Sequence, residues 1–256
     1  MEPKQLMKEA EKPFKVGFSN GSSAYAIRVH DPAELTVALR KLGLRRSRPA
    51  LVVVGGAGEV SESDMTRLRL LFVEALAPLA ETLGASVVDG GTDAGVMRLM
   101  GQAHAETNAT FPLIGVVAIG TVALSDAPLP RPDAAPLEPN HTHFVLVPGS
   151  EWGDESPWLP RVASVLAKGA PSVTVVVNGG EHTWKDASQS VANRRLVITV
   201  AGSGRAADAL AGALDGEPID GRAKGLAASG LVRAVDMGAD PDGLARAIEK
   251  VLSAKE

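Results

Sequence analysis

Short β-branched runs that end in glycine, each followed by a helix-forming stretch, recur along the chain. Residues 51–54 run into Gly55, Gly56 and Gly58, and residues 85–88 into Asp89, Gly90 and Gly91. Residues 173–177 run into Asn178, Gly179 and Gly180, and residues 196–200 into Gly202, Ser203 and Gly204. Residues 113–119 and 143–147 read as further strands, with a weaker one at 232–235. These runs are apolar at successive positions rather than alternating, which predicts strands covered on both faces of a parallel sheet. Between them the spacing predicts helices over 64–83, with Ser61 or Ser63 as N-cap, and over 94–106, 157–168, 184–192, 205–214 and 241–252. Strand and helix in alternation predict an α/β fold: a Rossmann-like, doubly wound, mostly parallel sheet with helices on both faces.

Two stretches break the alternation. Residues 125–139 contain Pro128, Pro130, Pro132, Pro136 and Pro139, too many for a helix interior or a central strand. A second irregular loop crosses 153–156. No repeat and no linker divides the chain, so a single domain over 1–256 is expected. Its core is 51–214, with residues 14–30 as an added strand or hairpin and a helical extension after the core.

Composition narrows the function classes. The 256 residues, 45% hydrophobic and 22% charged, suffice for one large α/β core. A formal net charge of −4 argues against duplex nucleic acid as a partner. Any anion site must then be local, built from backbone N–H groups and a few cations. The absence of cysteine excludes disulfides, thiolate metal sites and cysteine nucleophiles, and fits a reducing compartment. The first residues are too charged for a secretory h-region, and the apolar runs are far shorter than the ~20 residues of a membrane span. A cytoplasmic protein with no membrane partner is expected.

In doubly wound sheets ligands sit outside the carboxyl ends of the strands, near the reversal of strand order. Glycine there lets a ligand approach the backbone, and the next helix offers unpaired N–H groups to a phosphate. The candidate ligand residues are therefore Gly55, Gly56 and Gly58; Gly90, Gly91, Thr92 and Gly95; Asn178, Gly179, Gly180, Glu181, His182 and Thr183; and Gly202, Ser203, Gly204 and Arg205. Arg98, in the opening turns of its helix, is a candidate phosphate clamp. No turn carries the lysine and hydroxyl residue of a P-loop. The dinucleotide fingerprint fails as well, with Ser61 in the third glycine's place and Asp89 too far along the chain. His141 and His143, two apart, have no third metal ligand nearby, so hydrogen-bonding roles are expected and no metal or cofactor is assigned. Trp184 offers either an adenine-stacking surface or helix packing. Glu151, Asp154 and Glu155 could meet ribose hydroxyls, hold a divalent ion or keep a loop solvated.

The stretch VVDGGTDAGVMRLMGQA (87–103) resembles the first nucleotide-binding motif of the SLOG superfamily, which includes the lonely-guy phosphoribohydrolases and the DprA/Smf-type proteins. LEPNHTHFVLVPGSEWGDES (137–156) resembles its TRPM-type branch in a free-standing, prokaryotic form (LSDAT). The resemblance covers about 51–214. It implies a Rossmann-like fold and a nucleotide-derived ligand, such as ADP-ribose, an NAD-related compound or a nucleoside monophosphate. The superfamily's enzymes carry P-G-G-x-G-T-x-x-E, whose glutamate takes part in N-glycosidic cleavage. Here Gly179, Gly180 and Thr183 agree, while Asn178, His182 and Asp186 replace the proline, third glycine and glutamate. Binding or sensing is thus the first reading. Hydrolysis of a nucleotide N-glycoside or phosphoriboside through Asp186 with Arg98 is the alternative, and an oligomeric scaffold with a vestigial pocket is the second. A homo-oligomer is expected.

Overall fold

The computed structural model describes residues 11–56, 61–124, 131–217, 220–238 and 241–253. Phe14–Gly17 (β1) and Ser23–Arg28 (β2) form the expected hairpin. A 3-10 turn, Pro32–Glu34, is capped by the Asp31 side chain and leads into Leu35–Lys41 (α1). Ala50–Gly55 (β3) is followed by Glu62–Leu70 (α2), whose N-cap is Ser61. The helix expected over 64–83 is one path in three parts: α2, a wider π turn at Leu71–Leu76, and Ala77–Thr82 (α3). Pro78 cannot donate to the ladder, and a widened turn before it absorbs the missing bond.

Ser86–Asp89 (β4), Gly95–Glu106 (α4) and Leu113–Ala118 (β5) come next. The two-residue strands Val122–Ala123 (β6) and Ala135–Pro136 (β7) pair with each other on either side of the proline-rich stretch. His143–Val147 (β8), Leu159–Ala167 (α5), Ser172–Val177 (β9), Glu181–Ala192 (α6), Leu196–Ala201 (β10) and Arg205–Leu214 (α7) complete the expected core. Gly221–Ala228 (α8), Val232–Asp236 (β11) and Pro241–Leu252 (α9) follow.

One nine-stranded sheet has the order β1-β2-β8-β5-β4-β3-β9-β10-β11. Every neighbouring pair is parallel except β1 and β2. The chain steps outward from β3 through β4 and β5 to β8, then crosses back to β9, β10 and β11. Strand order therefore reverses between β3 and β9, which fixes where a ligand crevice opens.

Both faces of the sheet are covered. Along β3, Val52 and Val54 join a core cluster with residues of α1, α5, α6, α7 and α8. Leu51 and Val53 face the opposite cluster, built with α2, the π turn, α3, α4 and α9. A strand with helices on both sides needs no polar face, which is why these runs are continuously apolar. A third cluster joins Val117, Phe144 and Leu146 to Val16, Ala24 and Ala26, and Val122 and Leu137 close over it. The ends of the proline-rich stretch thus take the place of a helix on that part of the sheet.

Candidate ligand-binding site

Sheet order determines which glycine turns can cooperate. β4, β3, β9 and β10 are consecutive parallel neighbours, so all four turns emerge side by side on one rim. At the reversal, the Gly56 N–H donates to the Val177 carbonyl at 3.2 Å. Gly55 has φ +146°, and a Cβ there would fall inside the shell of the same carbonyl oxygen. Only glycine lets β3 and β9 close together at this point. Gly58 lies outside the described residues.

The turn after β4 is held from beneath. Asp89 is fully buried, and its Oδ1 accepts from Gly91 N at 2.8 Å and from His141 Nε2 at 2.8 Å. The other imidazole nitrogen donates to Glu138 Oε2 at 2.7 Å. Glu138 also accepts from the Asn140 backbone N–H and side-chain amide at 2.9 and 2.7 Å. Its own N–H donates to the Gly91 carbonyl at 3.0 Å. Burial alone would lower the His141 pKa, but Asp89 and Glu138 outweigh it and raise the imidazole to about 9. Phe144 stacks against the ring. The buried Glu138 and His141, with the half-buried Asn140, thus form a support for the DGG turn. Gly91 is spent within it, packed on Gly115, while Gly90 and Thr92 line an open pocket. His143, two positions on, hydrogen-bonds Thr142 and lines a surface depression shared with Asn140 and His141, apart from the pocket lined by Gly90 and Thr92.

The turns after β9 and β10 are stitched to each other. Asn178 is buried with φ +54°; its N–H donates to Ser203 Oγ at 2.8 Å and its side-chain amide to the Ser203 carbonyl at 2.8 Å. Its Oδ1 accepts from Gly179 N at 2.6 Å. The first amides of α7, at Ala206 and Ala207, donate to the carbonyls of Gly179 and Asn178. Gly202 N is used by Asp208. The AGSG turn therefore braces its neighbour, and the amino terminus of α7 serves the protein itself. Thr183 is buried against Gly179, and Glu181 is exposed and paired with Arg222 at 2.7 Å. The Arg205 guanidinium lies beside Gly180, at the entrance to α6. No side chain caps α4 at Ala94 or α6 at Gly180. Those two helix starts, with Gly95 opening α4, are the rim's candidate anion seats.

Arg98 falls in the first turn of α4 and pairs with Asp93 at 2.7 Å, half exposed. It does not line the pocket. Trp184 lies under Arg222, whose guanidinium sits 4.9 Å from the ring, and packs against the core. The aromatic residue at the pocket is instead Trp152.

A pocket of about 80 Å³ lies at the strand-order reversal, lined by Gly55, Gly90, Thr92, Trp152, Glu155 and Asp186 among others. Its outer wall is the loop after β8, held in three places. Asp154 accepts from the Ser150 and Glu151 amides, Trp152 Nε1 donates to the Asp133 carbonyl at 3.2 Å, and Lys185 Nζ donates to the Gly153 carbonyl at 2.5 Å. His182 faces this loop at Gly153 and stays exposed, away from the glycine backbone. Burial raises the Asp186 carboxyl to about 7, with Glu155 pushing the same way while Ser156 and Lys185 oppose it. Burial also raises Glu155. Glu155 and Trp152 belong to the site only through the packing of this loop on α6; the acidic composition of 151–155 was the sole trace in the sequence.

Fold and rim together define a Rossmann-like protein with its crevice at the sheet's reversal point. The chain belongs to the family described as SLOG in TRPM, prokaryote, whose model matches residues 48–246. It is 29% identical over 210 residues to transient receptor potential cation channel subfamily M member-like 2 of Nematostella vectensis, covering 68% of this chain and 13% of that protein. Against subfamily M member 2 of Rattus norvegicus it is 25% identical over 198 residues, covering 64% of this chain and 13% of the channel. The chain therefore spans about an eighth of these relatives. Among its described residues no helix is long and apolar enough to cross a membrane. The X-ray structure of TM1055, a structural genomics target, superposes with a TM-score of 0.54 at 24% identity, covering 79% of this chain and 99% of that one. That likeness concerns the fold.

Proposed function

We propose that the protein binds a nucleotide-derived metabolite, of the ADP-ribose, NAD-related or nucleoside monophosphate class, and acts as a binding or sensing module. The observation that carries this is the contiguity of β4, β3, β9 and β10, which puts four glycine turns on one rim, with the turns after β3 and β4 and residues of α4 and α6, two helices without side-chain caps, lining a pocket there. Backbone amides and helix dipoles favour phosphate there, and Arg205 adds a cation beside the entrance to α6. Family membership supports the same reading. Thermal unfolding and calorimetry against ADP-ribose, NAD, cyclic ADP-ribose isomers, AMP and IMP test it. A ligand at about 100 times its Kd should add ~2.7 kcal/mol of stability. No response to any of them at millimolar concentration overturns the proposal.

A second reading, N-glycoside hydrolysis, is favoured by one observation: Asp186 lines the pocket with a carboxyl raised to about 7. A carboxylic acid protonated near neutrality can donate to the departing base nitrogen as the C1′–N bond breaks and water adds to C1′. Arg98 has no place at the reacting atoms in this version. Release of free base from AMP or IMP, abolished by Asp186→Asn, supports it; absence of turnover, or full activity in the variant, rejects it.

A further inference from the structure

We propose that the outer face of α5, with the strand starts beside it, docks an acidic segment of a partner protein, one of whose carboxylates sits over Ser164. This face uses none of the rim's residues. Residues 35–56, 157–180 and 187–207 contain no aspartate or glutamate, in a chain that has 30 acidic residues. They supply α1, α5, the last part of α6 and the whole of β3, β9 and β10. Because these three strands are consecutive neighbours, the cations that precede them, Arg48, Lys168 and Arg194, come from adjacent strand starts. The segment before β3 is fastened to α5: Arg46 Nε donates to the Val165 carbonyl at 3.2 Å, and the Ser47 N–H to the Leu166 carbonyl at 2.8 Å. Arg161, Ser164 and Lys168, at i, i+3 and i+7, share one exposed face of that helix.

Elsewhere arginines are matched by carboxylates, Arg67 with Asp64, Arg98 with Asp93, Arg131 with Asp133 and Arg222 with Glu181. Among the described residues Arg46, Arg161, Lys168, Arg194 and Arg195 have no such partner. Cations near helix carboxyl ends answer the helix dipole, which accounts for Lys168 and Arg194. It does not account for Arg195, which is 3% exposed. Its Nε donates to Ser172 Oγ at 3.0 Å, and its Nη2 to the Pro160 carbonyl and Ser164 Oγ, both at 2.9 Å. Each of these acceptors is neutral, and Nη1 has none. A buried cation without a counter-ion is costly, and its retention points to an anion supplied from outside. Ser164 is exposed, so a carboxylate arriving there meets Arg161 and Lys168 on the surface and Arg195 beneath.

The surroundings select the kind of anion. Arginine predominates, and its planar fork pairs well with carboxylates. The three acid-free segments hold one aromatic residue, Trp158, which is buried, so no ring is offered for stacking on bases. The exposed large apolar side chains, Tyr25, Leu70 and Leu214, lie in other segments, which leaves no wedge for lipid. An acidic polypeptide requires neither.

The test is fluorescence anisotropy of labelled decaglutamate and of a labelled single-stranded RNA decamer titrated with the full chain, with co-sedimentation on phosphatidylserine vesicles alongside. Decaglutamate should bind, and more weakly as salt rises. Arg161→Glu and Lys168→Glu should each weaken it by ~10-fold or more, while Arg67→Glu, on α2, leaves it unchanged. Arg195→Met should weaken it as well, and the two exposed variants keep the test decisive if that one fails to fold. No binding of decaglutamate, or equal binding by the native protein and Arg161→Glu, overturns the proposal. Tighter binding of the RNA overturns it too, as does vesicle co-sedimentation that Arg161→Glu abolishes, since the face would then serve another kind of partner.

Discussion

His141 and Asp186 are both enclosed, and their surroundings shift both pKa values upward, with opposite consequences for charge. His141 lies between Asp89 and Glu138, which hold it protonated with a pKa of about 9 against an ordinary 6.5. A raised folded value means that its contribution is complete below about pH 6.5 and is lost as pH rises through about 9. Urea unfolding at pH 6 and pH 10 should show the native protein losing about 3 kcal/mol over that window. His141→Asn should remove the dependence and cost ~3–5 kcal/mol at pH 6, because two buried carboxyl groups lose the cation between them. A variant with the native pH profile would remove His141 from this role. Asp186 is raised from 3.8 to about 7. Its ionisation opposes folding, so stability contributed by the protonated form is full below about 3.8 and lost as pH rises through about 7. Asp186→Asn should therefore stabilise the protein at pH 8, by ~1–3 kcal/mol in thermal or urea unfolding, while weakening ligand binding. A destabilised variant would contradict the burial argument.

At the scale of elements, the contact between α4 and the segment before β8 matters most. Gly101, in the middle of α4, packs so closely on the Glu138 carboxyl that a Cβ would overlap it. Helix propensity alone favours Gly101→Ala by ~1 kcal/mol. Glu138 is fixed by Asn140 and His141 and cannot swing aside, so the substitution should instead lower the melting temperature and loosen the DGG turn. A rise in melting temperature would refute this packing. The same elements mark what could be read from sequence. The six longer core strands and the long helices were readable because their apolar runs and glycine stops repeat over many residues. The seven-residue α1 and eight-residue α8 span only about two turns, too short for a periodic signal, and β6 and β7 have two residues each. Glycine spacing located the rim, but not which amides it spends on itself. Asn178 and Asp89 consume the N–H groups of Gly179 and Gly91 through local side-chain bonds, but the partners that hold those two side chains in place, Ser203 and His141, come from distant segments that no local pattern encodes. Glu155 and Trp152 reach the pocket only once the loop after β8 docks on α6.

For the molecule as a whole, the reversal of strand order between β3 and β9 converts a repeated local motif into one crevice. The rim supplies amides and helix starts, the pocket behind it supplies carboxyls, and a net charge of −4 leaves anion capture to these local groups. The most direct measurement of the central claim is a calorimetric titration of the full chain with ADP-ribose and AMP, alongside inorganic phosphate. Saturable binding of at least one nucleotide, tighter than phosphate alone, is the predicted result. No heat and no thermal stabilisation with any nucleotide at millimolar concentration would contradict the account.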